Sequence, residues 1–308
     1  MRYTLAHGTA NDFVVFADLD DAVELTAGLA EALADRRRGL GGDGVIRIGA
    51  PPADQRDAQV FMDHRNADGS HAEMCGNGVR VVAKHVVDHG LVSPDADGLV
   101  HVATRSGSKA VRVADRDRDG RVTAVTVDMG APEFDPVRVP FVADDALAVR
   151  HPVELYGEAA ATVGRDHLDV AVVSMGNPHV VLPVADVDTA AVEVLGPALE
   201  AHRRFPNGVN VGFVQVLDDA HVKLRVFERG VGETAACGTG ACAAVVALQR
   251  DRQVDDRVEV TLPGGTLTIE HRPGGSVLMT GPAVEVAHGE LDPAWLASVL
   301  PAPSAAAS

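Results

Sequence analysis

The chain has 308 residues, 46% of them hydrophobic, with 27 basic against 44 acidic side chains and a formal net charge of −17. That length and apolar content fit two domains of ordinary size, while the acidic balance argues against nucleic acid or an anionic membrane surface as a partner. The N-terminus lacks the apolar stretch of a signal peptide, residues 234–249 are too short and small to span a bilayer, and three cysteines without C-x-x-C spacing make no disulfide framework, so a reducing, cytoplasmic location is expected.

In chain order, residues 20–38 carry Leu25, Leu29 and Leu33 at helical spacing. Short strands are expected at 45–48 and 58–62. A helix follows over 76–89, with Val79, Val82, Ala83, Val86 and Val87 on one face. Strands come next at 100–104, 110–113 and 122–128, then a helix at 187–201. Val222, Leu224 and Val226 alternate with polar neighbours as in a half-buried strand. Residues 238–248 read as a helix apolar all round, which must be buried on every side. The run 257–286, punctuated by Pro263-Gly264-Gly265 and Pro273-Gly274-Gly275, reads as an antiparallel meander. A last helix is expected at 293–300 and a disordered tail at 301–308. The first domain is expected over 1–122, joined by a strand returning within 283–300, and the second over 123–282.

Two cysteines sit in near-matching frames, Met74-Cys75-Gly76-Asn77-Gly78 and Ala236-Cys237-Gly238-Thr239-Gly240, each opening a helical run. A helix N-terminus favours a thiolate, and glycines there let backbone N–H groups approach an anion. Asn66 precedes Cys75 by nine residues, as Glu228 precedes Cys237; Asn11 precedes Cys75 by 64 and Asn177 precedes Cys237 by 60. One unit of asparagine strand, polar loop and cysteine helix therefore occurs twice, implying a duplication with a cleft between the copies. Two thiols across one substrate carbon would supply the base and the acid that inversion needs.

Over nearly its whole length the sequence resembles the diaminopimelate epimerases. The matching motifs are His7-Gly8-x-x-Asn11-Asp12-Phe13, Asn66-Ala67-Asp68-Gly69-Ser70, Met74-Cys75-Gly76-Asn77-Gly78-x-Arg80, Gly176-Asn177-Pro178-His179, Asn207-Gly208-Val209-Asn210, Glu228-Arg229-Gly230-Val231-Gly232-Glu233-Thr234 and Cys237-Gly238-Thr239-Gly240. The resemblance implies an α+β fold of two pseudo-symmetric domains, each a curved antiparallel sheet or barrel around a central helix. It implies an isomerase that interconverts LL- and meso-2,6-diaminopimelate, feeding lysine and peptidoglycan synthesis, with no cofactor, no metal and commonly a homodimer. Cys75 and Cys237 would be the catalytic pair. The N–H groups of Gly76, Asn77, Gly238 and Thr239 would hold the substrate α-carboxylate. Asn66, Asn177, Asn210 and Arg229 would bind the distal carboxylate, Asn11 and Glu228 would help hold the amino groups, and His179 and Glu228 would tune the cysteines.

Less specific readings stand beside these. A free cysteine is commonly a buried small hydrophobe, which is the role expected of Cys242, and isolated asparagines form turns, the role expected of Asn207. Arg80 is expected to be structural. Many relatives carry Gln where this chain has Gly44, which leaves one substrate contact to be lost or replaced. A proline racemase or hydroxyproline epimerase would share the two-thiol logic, but those carry His where this chain has Asn77. Phenazine-type isomerases lack the cysteine pair. A thiol sensor would not need the asparagine–arginine set. No cluster with metal-ligand spacing is expected.

Overall fold

The computed structural model describes residues 1–72 and 75–300, and the tail expected at 301–308 lies outside them. The chain divides into two units: Met1–Val127 with the segment from Pro282 onward, and Asp128–Gly281.

The first unit opens with an antiparallel hairpin of β1 (Arg2–Gly8) and β2 (Asn11–Ala17). Its turn residues Thr9 and Ala10 both have positive φ, 52° and 61°, a conformation costly for a β-branched residue. The Thr9 hydroxyl is tied down by Arg80 Nη2 at 2.9 Å. Next, α1 (Ala27–Ala34) crosses over to β3 (Gly44–Gly49), which lies parallel to β2, and β4 (Val60–Asn66) returns antiparallel. Then α2 (Gly76–Asp88) crosses to β5 (Leu99–Thr104), parallel to β4, and β6 (Gly107–Arg116) and β7 (Val122–Asp128) follow antiparallel. The sheet is thus mixed rather than wholly antiparallel. Each parallel joint falls where a helix carries the chain over, because only such a crossover can bring a strand back in the same direction.

α1 is much shorter than the expected 20–38. The Asp18 carboxylate accepts from the N–H groups of Ala22 and Val23, both at 2.9 Å, and holds those residues in a loop. Thr26 then caps the helix by accepting from Leu29 N, and Asp35 ends it by accepting from the N–H groups of Arg37 and Arg38. Leu29 and Leu33 of α1 pack with Val14, Phe16 and Val45, while Phe13 and Val15 point to the opposite face of β2 and are buried too. On α2 every residue from Gly76 to Val86 is buried, because β1, β4, β5 and β6 surround it.

The second unit repeats this plan. β8 (His151–Glu154) pairs antiparallel with β9 (His167–Ser174) across the short α3 (Gly157–Val163), and β9 with β10 (Pro178–Pro183). The helix α4 (Val192–Glu200) crosses to β11 (Asn210–Val216), parallel to β10, and β12 (His221–Glu228) returns antiparallel with a short β13 (Gly232–Thr234) folded back on it. The helix α5 (Gly238–Arg250) crosses to β14 (Arg257–Leu262), parallel to β12, and β15 (Gly265–His271) and β16 (Val277–Pro282) complete an antiparallel run. As its composition requires, α5 is buried from Gly240 through Leu248. It is enclosed by β9, β10, β11, β12 and β15. α3 escaped the sequence because only Ala159 of it is buried, which leaves no apolar stripe to read.

The meander stops at β16. β17 (Val284–Glu290) belongs to the first unit and pairs antiparallel with β1, Arg2 opposite Glu290, followed by α6 (Pro293–Val299). Pairing order in the first unit is therefore β17-β1-β2-β3-β4-β5-β6-β7, and in the second β8-β9-β10-β11-β12-β14-β15-β16. The parallel joints fall at the same places, after the second and fourth strands of each copy, counted from β1 and from β9. No helix among the described residues is long and apolar enough to cross a membrane.

Candidate active site

In each unit the buried helix begins at a cysteine. Cys75 is the N-cap of α2 (φ −116°, ψ 105°) and Cys237 that of α5 (φ −123°, ψ 111°). The sulfur does what a Ser or Asp does at this position, accepting from the N–H three residues on: Gly78 N to Cys75 Sγ and Gly240 N to Cys237 Sγ, both at 3.4 Å. A side chain on that third residue would be crowded. A Cβ on Gly78 would lie 3.2 Å from Ile46 Cδ1 of β3, and one on Gly240 would lie 3.1 Å from Val226 Cγ2 of β12 and 3.3 Å from Cys237 Sγ. Gly76 and Asn77, like Gly238 and Thr239, occupy the first two helical positions, where an α-helix supplies no carbonyl for the N–H groups. Negative charge is favoured there.

Around Cys75 the first unit builds a set of amides. The thiol faces Asn11 Oδ1 at 3.7 Å, Asn77 Nδ2 donates to the same oxygen at 3.2 Å, and Asn11 Nδ2 donates to Asp43 at 2.9 Å. Asn77 Oδ1 accepts from Arg80 Nη2 at 2.9 Å. Arg80 is wholly buried and structural, as expected, reaching also the carbonyls of Gly76 and Pro282. Asp43, which the sequence did not single out, is held with Asp12 by a bridging Arg36. Asn66 ends β4 and donates to Ser70 Oγ at 3.0 Å within its own turn, its side chain exposed.

The absent side chain at position 44 has a physical cause. A Cβ on Gly44 would sit 2.6 Å from His64 Nε2 and 2.8 Å from the Arg65 carbonyl oxygen. The His64 imidazole, edge-on to Phe13, occupies the space. Its burial drives the pKa down to about 4, so the ring is neutral at pH 7.

Around Cys237 the second unit sets a carboxylate. Thr239 Oγ1 lies 3.5 Å from the sulfur and accepts from Asn177 Nδ2 at 3.4 Å. Asn177 Oδ1 is 3.0 Å from His179 Nε2; a carbonyl oxygen only accepts, so that nitrogen carries the proton. His179 is pushed down to about 3 by burial, with the charge of Arg229 adding to it. It is a neutral donor that orients Asn177. Asn210 starts β11 and spends its amide on the chain, donating to Pro178 O (3.1 Å) and accepting from Arg229 N (2.9 Å). Arg229 donates to Asn207 O at 3.1 Å, its stem lying over Gly208. Glu228 ends β12, sets its carboxylate beside Cys237, and accepts from Thr234 Oγ1 at 2.5 Å. Thr234 lies in a motif the sequence displayed, but its function as the Glu228 anchor emerges only from β13 folding back. Cys242 is fully buried, as expected of a packing residue.

The helix start alone would lower a thiol pKa, yet Cys237 goes the other way. Burial pushes it well above its ordinary value, and the Glu228 carboxylate pushes further; the bonds from Thr239 and Gly240 oppose this and lose. Cys237 therefore rests as a thiol.

Two units of matching strand order, each centred on a cysteine-capped helix, define an epimerase-like α+β fold. A predicted epimerase of known structure from Pseudomonas aeruginosa shares it, with a TM-score of 0.65 at 18% identity, over 94% of this chain and 98% of that one. The family model for diaminopimelate epimerase matches residues 3–134 and 171–286. The chain is 46% identical over 292 residues to the diaminopimelate epimerase of Alkalilimnicola ehrlichii, covering 94% of this chain and 98% of that protein. It is 44% identical over 300 residues to that of Acidovorax ebreus, covering 95% and 98%. This chain belongs to the diaminopimelate epimerase family.

Two outcomes check the site geometry. Gly44→Ala is expected to destabilise the protein by about 1–3 kcal/mol in urea unfolding, since a backbone carbonyl cannot swing clear; an unchanged midpoint contradicts the His64 packing. Glu228→Gln removes the negative charge beside Cys237, so its thiol pKa falls. Alkylation of Cys237, followed by peptide mass mapping against pH, then moves to lower pH. An unmoved profile would show that Glu228 does not hold the proton on Cys237.

Proposed function

We propose that the protein interconverts LL- and meso-2,6-diaminopimelate by a cofactor-independent two-base reaction at Cys75 and Cys237. The observation that carries this is the pair of cysteine-capped helices in a member of this family. One thiolate removes the α-hydrogen as a proton, leaving the electron pair on the α-carbon and its carboxylate; the other thiol delivers its own proton to the opposite face. Each turnover leaves the two cysteines with exchanged protonation. Because Cys237 rests as a thiol, it is ready to donate in the direction in which Cys75 acts as the base.

The N–H groups of Gly76, Asn77, Gly238 and Thr239 take the α-carboxylate, where helix dipoles stabilise charge as it develops on oxygen. Arg229, offering a fork of donors, takes the distal carboxylate with Asn66 and Asn177. Asn210 serves that contact by fixing the Arg229 backbone. Asn11 and Glu228 lie against the thiols and help hold the amino groups. Proline as substrate would leave Arg229 and the asparagines without a distal carboxylate, and Asn77 stands where proline racemases carry His. A homodimer in the cytoplasm completes the proposal, and this part rests on the family resemblance alone.

Proton NMR of meso-diaminopimelate with the reduced protein in D2O tests the activity: the α-proton signal is expected to fade as LL isomer appears. Cys75→Ala and Cys237→Ala are each expected to lose more than nine-tenths of turnover, since either removes one face's proton carrier. Turnover above a tenth of wild type in either, or exchange of free proline with none of diaminopimelate, would overturn the reading.

A further inference from the structure

The far end of α2 carries a second constellation. His85 and His89 are spaced i, i+4, which sets both imidazoles on one helix face. Facing them is Glu285 of β17, whose side chain is only 3% exposed on a strand that leaves Val286 66% exposed. His85 Nδ1 lies 2.8 Å from Glu285 Oε1, and His89 Nε2 lies 3.2 Å from each carboxylate oxygen. One ligand atom from each of the three falls within 4.8 Å of the others. His288, three residues along β17, brings its Nε2 to 3.9 Å from Glu285 Oε2. Its Nδ1 is 3.1 Å from the hydroxyl of the buried Thr4. With Nδ1–H donated to that hydroxyl, the Nε2 lone pair is free toward the cluster, the arrangement that orients a metal-bound histidine.

We propose that His85, His89, Glu285 and His288 form a binding site for one divalent transition-metal ion of the zinc type, unconnected with the cysteine chemistry. Three imidazoles and a carboxylate are a donor set that suits zinc, and ligand bonds of about 2.0–2.1 Å in a tetrahedron put the ligand atoms about 3.3 Å apart. The separations of the three imidazoles from Glu285, 2.8, 3.2 and 3.9 Å, surround that value. The site lies roughly 20 Å along the helix axis from Cys75, at about 1.5 Å per residue, so a bound ion would fasten the C-terminal end of α2 to the strand supplied by the chain's end. The two histidines show at helical spacing in the sequence, but Glu285 lies 200 residues beyond His85, a separation no local motif reveals.

The test is a Co2+ titration of the full-length Cys75→Ser/Cys237→Ser protein, in which the active-site thiols cannot compete for metal. Visible d–d bands are expected to reach an end point at one equivalent, without sulfur-to-metal charge transfer, and to vanish when Zn2+ is added. His89→Ala and His288→Ala remove rings that are 39% and 50% exposed, and the melting temperature of each variant checks that it is folded. Each is expected to weaken Co2+ binding at least about tenfold. No bands at micromolar Co2+, which would leave only a hydrogen-bonded histidine–glutamate clamp, or binding indifferent to both substitutions, would overturn the proposal.

Discussion

The rest of the structure depends on a sulfur atom capping a buried helix. A cap of this kind needs the thiol, the N–H three residues on and the wall of the enclosing sheet within a few ångströms of one another. The Cys-Gly-x-Gly spacing follows from that packing: the last glycine both supplies the N–H and leaves room for Ile46 in one unit and Val226 in the other. The same contact holds the sulfur at the positive end of the helix dipole beside two further N–H groups, where a carboxylate is bound most favourably. Folding and chemistry draw on one arrangement.

The two units share one strand order but not one electrostatic environment. Cys75 faces the amide of Asn11, which Asn77 also contacts, and Cys237 is buried against the Glu228 carboxylate. Asn66 and Glu228 both end the fourth strand of their copy, but Asn66 bonds Ser70 within its own turn whereas Glu228 lies beside Cys237, which is also the more deeply buried thiol. A reaction that needs one acid and one base benefits from such a difference, because identical thiols would start with no preferred direction of proton transfer.

Much of this was legible in the sequence because it is local. The cysteine frames, their nine-residue spacing from Asn66 and Glu228, and the all-apolar stretch after Cys237 each announce an element through its immediate neighbours. What the sequence concealed is non-local. The parallel joints depend on which strand a crossover returns beside; the truncation of α1 is the local exception, since Asp18 reaches forward only to Ala22 and Val23. His64 filling the space at Gly44, Asp43 anchoring Asn11, and Thr234 bonding Glu228 are contacts between residues 6 to 32 positions apart whose types carry no signal by themselves. At Cys237 the helix-dipole expectation pointed the wrong way, since burial outweighs the dipole and burial is a property of the folded sheet.

The central claim is that two different thiols handle the two faces of one carbon. Its most direct test is the early distribution of deuterium when LL-diaminopimelate is turned over in D2O. With two bases, the newly formed meso isomer carries deuterium at the inverted carbon while the remaining LL isomer keeps its hydrogen. Equal early deuteration of both isomers would mean that a single group removes and returns the proton, and the two-cysteine account would fail.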